Sequence, residues 1–289
     1  MILVTGATGR VGYRLMEALA DARADVAAMV RVEARADDLP GTPRHVVATL
    51  DKPPAAAVLR EFDRIFLLSP EIEEQAELET VFIDAVMAAG RRPHIVKVCA
   101  DGFQDPGCDV RFMRAHRQVA RHLEAVGLPV TYLAAATYME NLLDDAAEIQ
   151  STGEIRASAG HGRAGFIATA DVAAAAAVVL TTDGHEDATY VLTGPEALSY
   201  ADIASQFSAV FARQVKYANL SEERERKLLL ANGRTPWVAD GAIERFDWIR
   251  QGGAGTVTGT VRELTGADPT PLQEWLADSR ETFDGLGGL

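Results

Sequence analysis

Apolar runs and amphipathic stretches alternate along the first part of this chain. Ile2-Leu3-Val4-Thr5 is a short continuous apolar run, the pattern of a buried strand. Val11, Leu15 and Leu19 then mark one helical face, and Asp25 to Val30 reads as a second strand. Arg44–Ala48, Arg64–Leu68, His94–Val98 and Pro129–Ala134 read as strands three to six. Between them, Leu78, Phe82, Ala85 and Ala89 sit at helical spacing before Gly90. Phe112, His116, Val119, Leu123 and Val126 do the same before Gly127. Strand and helix in strict alternation predict a parallel sheet with helices on both faces.

The second half is less regular. Ala173 to Leu180 is an Ala-rich helix with sides small enough to pack closely on a sheet. Tyr190-Val191-Leu192 reads as another strand, ended by Thr193-Gly194-Pro195. Ser199 with Asp202 three residues on has the form of a helix N-cap. Beyond Ser221 the pattern is mostly helical, with a loop at Gly252-Gly253-Ala254-Gly255 and a frayed tail at Gly285–Leu289. No repeat or low-complexity linker breaks the chain.

The segment after the first strand carries the chemistry. Thr5-Gly6-Ala7-Thr8-Gly9-Arg10-Val11-Gly12 follows a strand and opens a helix. Gly6 permits the tight turn, Gly9 lets backbone approach a pyrophosphate, and Gly12 lets helix and strand pack closely. The helix N-terminus then offers free N–H donors to phosphate, with Thr8 and Val11 in the same cradle. Such a motif in its β-loop-α context is a dinucleotide site. The fold class is therefore α/β: a Rossmann doubly wound parallel sheet over residues 1–195, then a smaller, mainly helical lobe over 196–289. Residues 138–165 contribute to that lobe.

At the end of the second strand, 19 residues after Gly12, an NAD site would carry an acidic residue; here stands Arg31. A guanidinium there pairs with the 2′-phosphate of NADP, so NADPH is expected ahead of NADH, with Arg10 and Arg35 assisting. Asp51 is either an adenine contact or a plain loop aspartate. Ser69 and Cys99, at the ends of strands four and five, complete the expected cofactor wall.

Composition narrows the partners. The 289 residues hold 28 Lys+Arg against 42 Asp+Glu, a net charge of −14, which disfavours nucleic acid and anionic membrane as partners. Only Cys99 and Cys108 occur, with no spacing for structural zinc or a disulfide framework, so no metal is expected. No signal segment is evident, and the longest apolar stretch, Val172–Leu180, is far short of the ~20 residues that span a bilayer. A cytoplasmic protein is expected, as monomer or homodimer.

The motif and its surroundings resemble the NmrA-like atypical short-chain dehydrogenase/reductases of the quinone-oxidoreductase type. TGATGRVG, the VR ending strand two, HLEAVGLPVTYL, TYMENLL, FIATADVA, YVLTGPEALSYADIA and VTGTVRELTGADPTPLQEWL carry the resemblance over nearly the whole chain. It implies an NADPH-dependent reductase acting on a quinone or on a polyketide-like aromatic ketone, as in tailoring reductases of antibiotic-type natural products. A non-catalytic NADP(H)-sensing regulator is the alternative it leaves open.

The chain also departs from the wider pattern. No Tyr has Lys four residues on, so the usual Tyr-x-x-x-Lys acid is absent, and Cys99 stands where a Ser is usual. A phenol beside the acceptor carbonyl could supply the proton instead. His116 stands where related isoflavone-reductase-like enzymes carry a catalytic Lys. It is either that catalytic group or a satisfied core His, and His122 does not share its face. Tyr138, Met139 and Asn141 resemble the family's pocket-lining stretch, with Tyr138 either donating to substrate or merely packing. Lys97 either lines the site or pairs with a buried carboxylate. Glu71-Ile72-Glu73-Glu74 and Glu222-Glu223 read as solvated helix starts. Trp237, Phe246 and Trp248 either line a pocket in the lobe or are ordinary core.

Overall fold

The computed structural model describes residues 1–41 and 43–286. Seven parallel strands form its central sheet: β1 (Ile2–Val4), β2 (Val26–Val30), β3 (Arg44–Val47), β4 (Arg64–Leu67), β5 (His94–Ala100), β6 (Val130–Ala135) and β7 (Thr189–Leu192). Their spatial order is β7-β6-β5-β4-β1-β2-β3. The order reverses between β1 and β4, the switch point beyond whose carboxyl ends such sheets bind ligands. β1, β5 and β6 are buried throughout or nearly so, as their apolar runs require. β3 is an edge, and there Arg44, His45 and Val47 are exposed.

Helices cover both faces. On one side α1 (Arg10–Asp21) buries Val11, Leu15, Met16 and Leu19. The later α4 (Thr169–Thr181) lies beside it, because Ala173, Ala175 and Ala176 keep its inner face flat. On the other side α2 (Gln75–Ala88) and α3 (Arg111–Val126) pack on β4 and β5. Gly127 ends α3 in the left-handed region at φ 66°, where a side chain would be strained.

The lobe has its own core. Met139, Leu142 and Ile149 pack with Ile203, Phe207 and Phe211 of α5 (Tyr200–Phe211), and with Trp275, Leu276 and Phe283. Ser199 and Asp202 form the complete reciprocal cap on α5. Ser221 caps α6 (Glu222–Ala231), and Thr235 caps α7 (Pro236–Arg250). No apolar alternation announced two small sheets: 197–198 with 164–167 and 137–138, which joins the lobe to the main body, and 216–219 with 154–157, within the lobe. Segments this short are set by their partners rather than by pattern. Of the tail expected to fray, 285–289, residues 287–289 lie outside the described residues, and Gly285 and Leu286 instead close a 3-10 segment, Arg280–Leu286. No described helix is long and apolar enough to cross a membrane.

α7 docks across the top of α3. Arg111 Nη2 donates to Glu244 Oε1 at 2.6 Å, and Trp237 meets Phe112 edge-on at 5.2 Å. This contact brings the lobe over the carboxyl ends of the strands.

Candidate active site

A cleft of about 760 Å³ runs along those strand ends, from the glycine loop to the underside of α7. At its first end Gly6 turns at φ 63°, and a Cβ there would press on the Leu68 carbonyl at 3.1 Å. A Cβ on Gly12 would stand 2.0 Å from the Gly6 carbonyl oxygen, so only glycine lets α1 begin directly under the loop. Gly12 thus shapes the cradle from beneath and does not itself line the cleft. Thr5 Oγ1 donates to Leu68 O and accepts from Leu68 N, fastening the β1 loop to the end of β4. Gly9 caps α1 without a side-chain partner, and the first turn carries no acidic residue. The leading N–H groups of α1 therefore face the cleft with the dipole's positive end, a ready anion site.

Gly6, Thr8, Gly9, Arg10, Val11, Arg31, Arg35 and Asp51 all line this end. Arg31 is exposed and, among the described residues, makes no hydrogen bond or ion pair. Arg35 is held only loosely, 3.8 Å from an exposed Asp38. Arg10 departs from expectation: its guanidinium pairs with Asp144 of the lobe, which Arg234 also meets at 3.0 Å. Arg10 ties lobe to loop and is not a free phosphate ligand. The cradle that a Cβ would fill, the uncapped helix start and the free Arg31 together fit a dinucleotide carrying a 2′-phosphate.

The other end is built from side chains. Tyr138 and Asn141 line it as expected, with His116 and with Ser69 and Cys99, which were expected on the cofactor wall, joined by Asp101, Met113, Glu71, Arg245 and Trp248. Met139 is a correction. It is 1 % exposed and packs in the lobe core, because the chain turns into a 3-10 helix there and aims that side chain inward. Trp237 and Phe246 likewise lie elsewhere: Trp237 on Phe112, and Phe246 on Tyr200. Only Trp248 of the three aromatics reaches the cleft.

Behind this end sits a wholly buried ion pair. Lys97 Nζ donates to Glu79 Oε1 at 3.0 Å, and Ser69 Oγ donates to the same oxygen at 2.5 Å. This resolves the two readings of Lys97 toward the buried carboxylate, with both partners at 0 % exposure. His116 stands nearby, 4 % exposed, its Nδ1 3.4 Å from Gln75 Nε2. Burial, with Lys97 and Arg245 adding to it, holds its imidazole well below the usual His range, so it is neutral at neutral pH. His122 is half-exposed on Asp84, off that face. Burial pushes the Cys99 thiol up to about 12, which removes it as a nucleophile. Burial also raises the Tyr138 phenol, which stays protonated.

Glu71 corrects the reading of its acidic run. α2 begins only at Gln75, and Glu71 sits in the cleft wall, accepting from Arg245 Nη2 at 2.6 Å. Arg245 comes from α7, 174 positions away, with its guanidinium 5.0 Å over the Phe112 ring. No local signal marks it. Asp101 was also missed, although a carboxylate just past the carboxyl end of a central strand is a position worth testing in any such sheet. Glu222 and Glu223 do occupy the first turn of α6.

Comparison with known proteins places this architecture. The NmrA-like family matches residues 1–246. The chain belongs to the NmrA-like family. It is 33% identical over 288 residues to a (4-alkanoyl-5-oxo-2,5-dihydrofuran-3-yl)methyl phosphate reductase of Streptomyces griseus, covering 98% of this chain and 99% of that one. It is 30% identical to an NAD(P)H azoreductase of Xenophilus azovorans, over 95% of this chain and 96% of the relative. The crystal structure of an NADPH-dependent quinone oxidoreductase from Escherichia coli, complexed with NADPH, superposes with a TM-score of 0.86 at 27% identity, covering 96% and 99% of the two chains.

Proposed function

We propose that this member of the NmrA-like family passes a hydride from NADPH to a small, flat, conjugated acceptor, a quinone or an aromatic ketone of polyketide type. That the chain is a reductase is the common ground of its full-length relatives, and a reduced nicotinamide dinucleotide is named for two of them. The alternative of a non-catalytic sensor gives way to that ground. The observation that carries the acceptor class is the continuity of one cleft: a backbone-made anion cradle at one end, and Trp248, Met113 and Tyr138 at the other. The names of the three relatives carry a furanone, an azo group and a quinone, all planar and conjugated.

NADPH, when bound, supplies the hydride. The N–H groups of the glycine loop and of the start of α1 would hold its diphosphate, and Arg31, with Arg35, the 2′-phosphate. Trp248 and Met113 exclude water from the acceptor. Tyr138, protonated across the working range, donates a hydrogen bond to the acceptor oxygen. Neutral His116 orients the acceptor without charge. The lobe, residues 196–289 with 138–165, sets which acceptor fits. Proton supply falls to the acceptor's own phenol or to a side chain at this end.

The test follows the loss of reduced-nicotinamide absorbance with NADPH and NADH in parallel, across quinones and phenolic polycyclic ketones. Turnover with NADPH on one class establishes the reading. Tight NADPH binding with no turnover on any acceptor would reject this acceptor class.

A further inference from the structure

The cleft lacks a Tyr-x-x-x-Lys pair, and its other titratable groups are poorly suited to give up a proton. His116 is neutral, Cys99 holds its proton to about 12, and the Tyr138 phenol is raised by burial with the Glu71 carboxylate adding to it. One carboxyl differs from all of these. Asp101 follows the last residue of β5, and its N–H donates to Ala135 O at 2.8 Å, so the β5–β6 ladder fixes its backbone. Asp101 lines the cleft and is half-buried. Among the described residues it forms no ion pair. The indole of Trp248 lies over the Asp101–Gly102 turn, with its Nε1 only 3.4 Å from where a Cβ on Gly102 would stand.

We infer that Asp101 is the proton donor of the reaction, giving its carboxyl proton to the acceptor oxygen as hydride reaches the acceptor carbon. Burial supports this, because it raises the carboxyl above the ordinary Asp range, an effect the Gly102 N–H only partly offsets. No neighbouring charge counts among the causes. The balance is simple. The hydride brings two electrons and a hydrogen to the carbonyl carbon, and the C=O π bond breaks. The Oδ–H bond of Asp101 breaks as the new O–H forms, and the resulting carboxylate is reprotonated by solvent through the cleft mouth. The inference rests on the reductase reading above.

The experiment compares wild type with Asp101→Asn on two acceptors. One is a polycyclic aromatic ketone whose neighbouring phenol has been methylated, so that it cannot supply its own proton. The other is a cationic triarylmethane dye, which becomes neutral on taking hydride and needs no proton. General acid catalysis contributes on the order of 10²–10⁴-fold. Asp101→Asn is expected to slow the ketone by about 10²-fold or more and the dye far less, with Asp101→Glu recovering part of the ketone rate. The wild-type ketone rate falls as pH rises through the carboxyl's titration, and that limb disappears in the Asn variant. Equal losses on both acceptors, or no loss on the ketone, overturn the inference. So does a methyl ether that wild type cannot reduce while reducing the free phenol. Infrared difference spectra of wild type against Asp101→Asn provide a readout independent of turnover. A protonated-carboxyl stretch that persists above the pH where ordinary aspartates ionise is expected, and an Asp101 ionised throughout overturns the inference even if no acceptor is turned over. Failure of wild type on every acceptor would instead count against the reductase reading.

Discussion

The two ends of the cleft hold their ligands by opposite means. At the glycine end, backbone N–H groups and an exposed Arg31, unpaired among the described residues, face a ligand that brings its own charge. At the far end the cations are already neutralised, Lys97 by Glu79 and Arg245 by Glu71, and burial favours the neutral form of His116, Tyr138 and Asp101. A fixed anion needs donors aimed in advance, whereas a reducible carbonyl needs a surface that becomes favourable only as negative charge develops on it. The acidic surface of the chain makes the first device necessary, because the overall field repels the cofactor.

The largest test of this contrast removes the buried support of the acceptor end. Glu79→Ala removes the carboxylate partner of Lys97 at 0 % exposure, and urea unfolding is expected to show a loss of roughly 3–5 kcal/mol. Replacing both partners together, Glu79→Leu with Lys97→Met, is expected to recover most of that loss. A single variant as stable as wild type would mean the pair is not what holds this floor.

Next comes the backbone cradle. Gly12→Ala drives a methyl into the Gly6 carbonyl and is expected to cost about 1–3 kcal/mol in thermal unfolding and to weaken NADPH binding by calorimetry. Unchanged NADPH affinity would show that the loop's shape is not the source of binding.

Arg31→Ala sharpens the contrast within the cofactor end alone. Loss of one charge-assisted contact of about 1.5–3 kcal/mol predicts roughly a 10- to 100-fold loss of NADPH affinity with little change for NADH. Equal losses for both would remove Arg31 as the selector. The smallest effect is expected at the far end. Tyr138→Phe removes one neutral hydrogen bond of about 0.5–1.5 kcal/mol, so kcat/KM on a ketone should fall roughly 2- to 10-fold with NADPH affinity unchanged.

Much of this molecule is legible in its sequence, for a definable reason. The seven sheet strands, the helices between them and the glycine cradle all depend on neighbours within a few residues, so apolar period and glycine spacing record them. Arg31 was readable because its distance from Gly12 is fixed by one β-α-β unit. The NmrA-like pattern was readable because it recurs along the whole chain. The acceptor end was not. Glu71, Asp101, His116, Tyr138 and Arg245 come from five separate segments, and their meeting depends on how α7 closes over α3. Whether His116 is neutral, whether Met139 faces the cleft or the core, and whether Arg10 is free or paired to Asp144 are matters of burial and of partners distant in the chain. The sequence determined the sheet, the cradle and the place of Arg31 beside it, because those follow from local spacing; only tertiary structure decided the chemistry of the acceptor end, because desolvation and long-range pairing exist only once the lobe has closed.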